Sequence, residues 1–137
     1  MKNLFPILFL ALMLTACGSD EDEKTFVDNL VGEYNGTLKT LNCTLPQEEL
    51  SNENSTAEIT KISETQIDFS IDNTSGNVFS FSATVNADST ITIPQFTATN
   101  QEMLKGSASN NTKLRIVLGG DCIIFGEEAA TYIFDEI

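Results

Sequence analysis

Residues 66–85, QIDFSIDNTSGNVFSFSATV, carry the pattern that decides the fold. The first half alternates Ile, Phe and Ile with Asp and Ser, and the second half alternates Phe, Phe, Ala and Val with Ser and Thr. A period of two is typical of strands that bury one face and expose the other to water. Because residues 73–77 between the halves are rich in Asn, Ser and Gly, which favour tight turns, the stretch predicts a β-hairpin.

Further short strands, separated by polar turns, are predicted on both sides of this hairpin, and no stretch shows a convincing helical period. They cover residues 33–41, 56–62, 90–93, 102–108, 113–118, 122–125 and 129–134. Pro94 cannot donate to a strand ladder and therefore marks a bulge, a bend or a strand end. Residues 42–55 form the one long irregular stretch and are predicted to be a loop.

Strands joined by short turns predict an all-β fold, an antiparallel meander in which eight strands close into a β-barrel. A two-sheet β-sandwich is the alternative, although the long cysteine spacing and the lack of Trp are unlike immunoglobulin-type sandwiches. An eight-stranded barrel holds either packed side chains or one small ligand. The predicted inward side chains, which would form a ligand site or simply the core, are Phe69, Phe79, Phe81, Ile91, Ile93 and Phe96.

The N-terminal residues have the features of an export signal. Residues 1–16 combine a positive start, an apolar run over residues 4–14 and small residues before Cys17. The run is too short to span about 30 Å of membrane hydrocarbon. Leu14-Thr15-Ala16-Cys17 resembles the lipobox of bacterial lipoproteins, in which cleavage precedes a cysteine that is then acylated. The sequence therefore predicts a lipoprotein signal peptide over residues 1–16 and a membrane anchor on Cys17.

Residues 17–25 are predicted to be the acylated cysteine and an acidic tether, followed by a single domain over residues 26–137. Gly18 follows the cysteine where sorting patterns for inner-membrane retention have Asp, so the resemblance implies an outer-membrane, lipid-anchored protein that faces the periplasm or the cell exterior. The acidic run over residues 18–23 resembles the surface-export signal of some Gram-negative lipoproteins. Its alternative role is that of a solvated spacer.

Two cysteines remain once Cys17 carries lipid. Cys43 and Cys122 are an even number in an oxidising compartment, which favours one disulfide. The bond would close a loop of about 80 residues and, in the chain-entropy model, stabilise the fold by roughly 4 kcal/mol. The alternative, a reactive thiol, lacks the neighbouring cation or His that activates such a group.

The composition excludes several classes of function. The chain has no His, which removes the Ser-His-Asp triad, the Cys-His pair and the His-ligated metal site, so we predict a non-enzymatic protein without metal or cofactor. Asp68 and Asp72 would lie about 13 Å apart along one strand, too far for a pair of glycosidase carboxylates. Removal of residues 1–16 takes away the charge of Lys2 and leaves a net charge of −14, which repels nucleic acid.

Residues 26–38, FVDNLVGEYNGTL, resemble the entry into calycin-type barrels, the superfamily that includes the lipocalins. There a short helical turn leads to a Gly-x-Trp motif that opens the first strand, and Gly32 and Tyr34 would occupy that motif here. The resemblance implies a calycin-like or lipocalin-like lipoprotein in which a basic side chain of a late strand covers the aromatic ring. Arg115 would fill that role over Tyr34, or it would be a surface arginine.

The expected function is therefore that of a non-enzymatic, lipid-anchored protein whose calycin-like barrel binds a small apolar or amphipathic ligand in its mouth. The alternative is a surface-exposed interaction module that binds a protein or glycan partner through its loops, above all residues 42–55.

Overall fold

The computed structural model describes residues 24–43, 47–74, 76–99, 101–120 and 130–137. Within these residues a short helix precedes eight strands, which form a closed antiparallel barrel in chain order. The predicted all-β, eight-stranded meander barrel is therefore confirmed, and the sandwich is excluded. The elements are α1 (Phe26–Leu30), β1 (Gly32–Asn42), β2 (Glu49–Ser63), β3 (Gln66–Asn73), β4 (Gly76–Val85), β5 (Ile91–Thr97), β6 (Met103–Asn110), β7 (Leu114–Gly120) and β8 (Ala130–Glu136).

The strands alternate between a packed interior and a wet outer wall. In β3, Ile67, Phe69 and Ile71 are 0–1% exposed, whereas Ser80 and Ser82 on the outer face of β4 are exposed. A single core cluster gathers apolar side chains from α1 and from all eight strands. Because burial of apolar surface contributes roughly 25 cal/mol per Å², this shared interior is the main source of the barrel's stability.

The barrel closes where the first strand meets the last. Asn42 of β1 lies opposite Ala130 of β8, and Gly36 lies opposite Glu136. A Cβ atom at Gly36 would collide with the Asp135 carbonyl group and the Phe134 ring. The missing side chain therefore allows the closing strands to pair closely and leaves room for the Phe134 ring beside Gly36 on the inner face.

The predicted loop over residues 42–55 is wrong for much of its length. Strand β2 begins at Glu49, and its first residues pair with the second half of β1, for example Asn54 with Thr37 and Asn52 with Lys39. The long β1 strand offers a ladder of backbone donors and acceptors, and this polar stretch satisfies them although it has no apolar alternation. The described part of the connection is thus limited to residues 43, 47 and 48.

The seam between β4 and β5 has the fewest paired residues in the barrel. Two pairs are in register there, Thr84 with Thr92 and Val85 with Ile91. Beyond them, the β5–β6 register shifts between Ile93 and Phe96, which confirms the irregularity predicted at Pro94. Beyond the two pairs, side-chain packing joins β4 and β5, because the rings of Phe81 and Phe96 stack with centroids 4.7 Å apart.

Helix α1 covers one end of the barrel. Val27 and Leu30 are 2% and 0% exposed and belong to the core cluster. The helix lies where the calycin resemblance implies a helical turn. Within the described residues, no helix is long and apolar enough to cross a membrane. The predicted signal peptide over residues 1–16, the predicted lipidation site Cys17 and the predicted strand over residues 122–125 lie outside the described residues.

Candidate functional site

The two ends of the barrel are unlike. We call the end covered by α1 the helix end; β1 starts there, and the turn between β2 and β3 lies beside it. We call the opposite end the mouth; β1 ends there at Asn42 and β8 starts there at Ala130. Because the described chain enters at Lys24, just before α1, any tether on the N-terminal side joins the helix end.

A small polar network fixes α1 on the helix end. Thr25 and Asp28 form a capping box, in which the Thr25 amide donates to the Asp28 carboxylate at 2.9 Å and the Asp28 amide donates to the Thr25 hydroxyl at 3.2 Å. Lys61 of β2 donates to the same carboxylate at 2.8 Å and to Glu64 at 2.7 Å. The bond from Lys61, followed by those from Thr25, lowers the pKa of Asp28 from 3.8 to about 2.

This network predicts a dependence of stability on acid. The folded-state pKa of Asp28 lies below its unfolded value, so its contribution is complete above about pH 4 and is lost as the pH falls towards 2. We expect the free energy of unfolding, measured by urea titration between pH 6 and pH 2, to fall more steeply in the wild-type protein than in Asp28→Asn. Lys61→Met, which removes the largest cause of the lowered pKa, should move the acid transition to higher pH. Equal slopes for the wild type and Asp28→Asn would contradict this role.

Tyr34 lies inside the barrel at the helix end. Its hydroxyl donates to the Leu30 carbonyl at 2.7 Å and so ties β1 to the last turn of α1. Burial, followed by the negative charge of Glu136, raises the pKa of the Tyr34 phenol, against a hydrogen bond with Asn110. Gly32, two residues before, has a φ of 153°, which a glycine adopts without strain where the chain turns from the helix into β1.

Arg115 is a surface arginine, the second of the two roles predicted for it. It lies on the outer face of β7, between the buried Leu114 and Ile116, and its side chain is 53% exposed. Its guanidinium group pairs at 3.0 Å with Asp135, its neighbour across the ladder on β8. Tyr34 faces the opposite side of the barrel wall, so the contact implied by the family resemblance is replaced by bonds to Leu30 and Asn110.

The six side chains predicted to form a ligand site all point inward, and five of them are core residues. Phe69, Phe79, Phe81, Ile91 and Ile93 are 1–6% exposed. The ring of Phe69 stacks on that of Phe81 at a centroid distance of 5.1 Å. Ile91 pairs with Val85 at the helix end, far from the mouth. Phe96 differs from the others because it is half-buried and lies near the mouth end of β5.

Two further residues, which the sequence did not single out, lie at the mouth. Tyr132 of β8 reaches inward and meets Phe79 of β4 edge to face, with the ring centroids 4.8 Å apart. Glu102 receives a hydrogen bond at 2.8 Å from the Tyr132 hydroxyl and another at 3.1 Å from the Ala130 amide. One carboxylate thus holds the start of β8 and its aromatic ring against the β5–β6 turn.

Cys43, which directly follows β1 at the mouth, is disulfide-bonded in the structure. Its predicted partner, Cys122, lies outside the described residues, so the pairing stays a prediction. The described part of the chain contains no group of three or more Cys, Asp or Glu side chains that could hold a metal ion.

Comparisons of the chain with protein-family models, with curated proteins and with solved structures found no match. The function is therefore inferred from the sequence and the geometry of this chain alone.

Proposed function

We propose that this protein is a non-enzymatic lipoprotein, anchored in the outer membrane through Cys17, whose barrel binds a small apolar or amphipathic ligand at the mouth. The lipobox-like sequence before Cys17 supports the anchor. The opening Gly32-x-Tyr34, together with the helix before it, supports a calycin-like barrel as the carrier of this function. The domain then stands outside the cytoplasm, on the periplasmic or the exterior side.

The position of α1 supports an orientation for the anchored protein. A tether from Cys17 reaches Lys24 at the helix end, where Val27 and Leu30 close the barrel. The mouth lies at the opposite end of the strands and faces away from the membrane surface. A ligand would therefore approach the domain from the aqueous side.

One observation carries the binding proposal: at the mouth, two half-buried aromatic rings each contact a buried phenylalanine ring. Phe96 and Tyr132 pack on the core with one part of each ring and remain partly exposed with the other. Phe81 and Phe79 lie directly beneath them. Aromatic walls with a few polar groups are typical of small-molecule sites, and Glu102 supplies a polar group here. Core side chains fill the barrel interior beneath these rings, so a ligand would contact only the residues at the mouth.

The disulfide forms part of the same proposal. We propose that Cys43 pairs with Cys122, which follows the last residue of β7 by two positions. In the register, Leu41 of β1 lies opposite Thr131 of β8, and Thr131 lies opposite Gly119 of β7. Since neighbouring strands are about 4.8 Å apart, the ends of β1 and β7 are separated by roughly 10 Å, a gap that two residues can bridge.

Fluorescence of the neutral probe N-phenyl-1-naphthylamine tests the proposed site. We expect the wild-type protein to bind the probe and Phe96→Ala to bind it about tenfold more weakly, because a wall of the site is lost. Phe26→Ala is the matched control, since Phe26 is also half-buried against the core but lies at the helix end. Circular dichroism would check that both variants are folded. No binding by the wild type, or equal losses in the two variants, would reject the mouth as the site.

A further inference from the structure

A second concave surface lies on the outer wall of the barrel, away from the mouth. It is a groove of about 460 Å³ that runs across β1, β2 and β3 beside the end of β8. Its rim on one side is Ile137, whose amide donates to the Asn35 carbonyl at 3.1 Å and so continues the β8 edge along β1. Gly36, which has no side chain, lies in its floor. A volume of this size is in the range of small-molecule sites, which is about 300–1,000 Å³.

The side chains that line the groove are polar and largely uncharged. They include the amides of Asn35 and Asn54, the hydroxyl of Thr56 and the carboxylate of Asp72. Thr56 and Asn35 share one long hydrogen bond of 3.4 Å. Within the described residues, the side chains of Asn54 and Asp72 make no hydrogen bond to the protein. An amide offers two donors and an acceptor, and a carboxylate accepts several hydrogen bonds, so these groups are available to a ligand.

The charges select the class of ligand. Lys and Arg are missing from the described lining, and the chain has a net charge of −13, so the groove does not favour phosphate or carboxylate ligands. Asp72 is the one carboxylate side chain in the described lining, fewer than a divalent cation requires. The exposed Ile137 side chain adds an apolar surface.

We propose that this groove is a binding site for a neutral saccharide. Vicinal hydroxyl groups would donate to Asp72 and exchange hydrogen bonds with the amides of Asn35 and Asn54, while the C–H face of the ring would lie on Ile137. The site is separate from the mouth, because the groove opens on the outer face and the aromatic rings at the mouth point inward.

NMR titration of the full chain with maltohexaose, cellohexaose, xylohexaose and hexagalacturonate tests this site. We expect at least one neutral hexasaccharide to shift the backbone amides of Asn54 and Asp72, and hexagalacturonate to leave them unchanged. Asn54→Ala and Asp72→Ala should each weaken binding by about tenfold, the effect of losing a hydrogen bond to a polar ligand. Asn52→Ala should leave it unchanged, since Asn52 is exposed on the same face of β2 but lies outside the groove.

Phe96→Ala should also leave saccharide binding unchanged, which separates the groove from the mouth. The saccharide site is overturned if no neutral hexasaccharide shifts the groove, if the acidic oligosaccharide binds equally well, or if Asn52→Ala weakens binding as much as Asn54→Ala does. If the wild-type protein bound a neutral saccharide but not the probe, the result would count against the proposed function and not against the saccharide site.

Discussion

Gly106→Ala should destabilise the barrel severely, by about 3 kcal/mol or more, or prevent it from folding. Gly106 of β6 lies opposite Leu118 of β7. An added Cβ atom would overlap the Val117 carbonyl group and would lie 2.9 Å from its carbon atom and 3.1 Å from the Leu118 Cα atom. All of these are backbone atoms, so no side-chain rotation relieves the collision, and the β6–β7 ladder must separate. Urea denaturation followed by circular dichroism measures the loss.

Gly119→Ala is the matched control for this prediction. Gly119 lies on the neighbouring strand β7, has nothing within 4 Å of its added Cβ position and is not among the residues with positive φ. Alanine there should be neutral or should stabilise the fold by about 0.4–1 kcal/mol, since it reduces the entropy of the unfolded chain. If both substitutions lowered the free energy of unfolding by similar amounts, the close approach of β6 and β7 would not explain why residue 106 is glycine.

Cys17→Ser should release the protein from membranes almost completely. Each buried CH₂ group of an acyl chain contributes on the order of 0.8 kcal/mol to membrane attachment, and serine at this position cannot carry the thioether-linked chains. We expect the wild-type protein, produced in a Gram-negative host, to sediment with the outer-membrane fraction, whereas Cys17→Ser remains in the supernatant. Mass spectrometry of the wild type should find an acylated N-terminal peptide that starts at residue 17.

Ser19→Ala provides the control in the tether, because it changes one small polar residue without touching the cysteine. It should sediment like the wild type. Detection of an intact Met1 in the native protein, or of an unmodified thiol on Cys17 in the membrane fraction, would refute the anchor and with it the outer-membrane location.

The strands that carry apolar alternation could be predicted from the sequence. Residues 66–85 form the hairpin of β3 and β4, and Pro94 marks an irregularity in β5. Local patterns suffice there because the buried and exposed faces of each strand differ in hydrophobicity at every second residue. The closed barrel followed from the number of such strands and the shortness of their connections.

Residues 49–55 could not be recognised as a strand. The stretch ELSNENS is polar except for Leu50, whose side chain is 62% exposed. Its strand conformation comes from pairing with β1, which is a tertiary effect without a local signature. Helix α1 likewise has no periodic signature, since five residues are too few to show one; its local signal is the capping pattern of Thr25 and Asp28.

One feature of the mouth, the inward direction of Tyr132, could be predicted from the sequence, whereas its bond to Glu102 could not. The inward direction of Tyr132 follows from its alternation with Ala130 and Phe134 in a predicted strand. Its bond to Glu102 joins residues 30 positions apart and depends on the β5–β6 turn lying beside β8. No spacing rule in the sequence connects those two segments, so the polar group of the mouth becomes visible only in the folded chain.

Ile137 lies at the helix end of the barrel, where its amide bonds to Asn35 near the start of β1, and it also borders the outer groove. A fluorescent protein or other bulky reporter fused behind this residue would stand next to the groove and shield it. The same fusion would leave the opposite opening unobstructed. A single tagged chain could therefore be used to block one proposed binding surface sterically while the other is assayed.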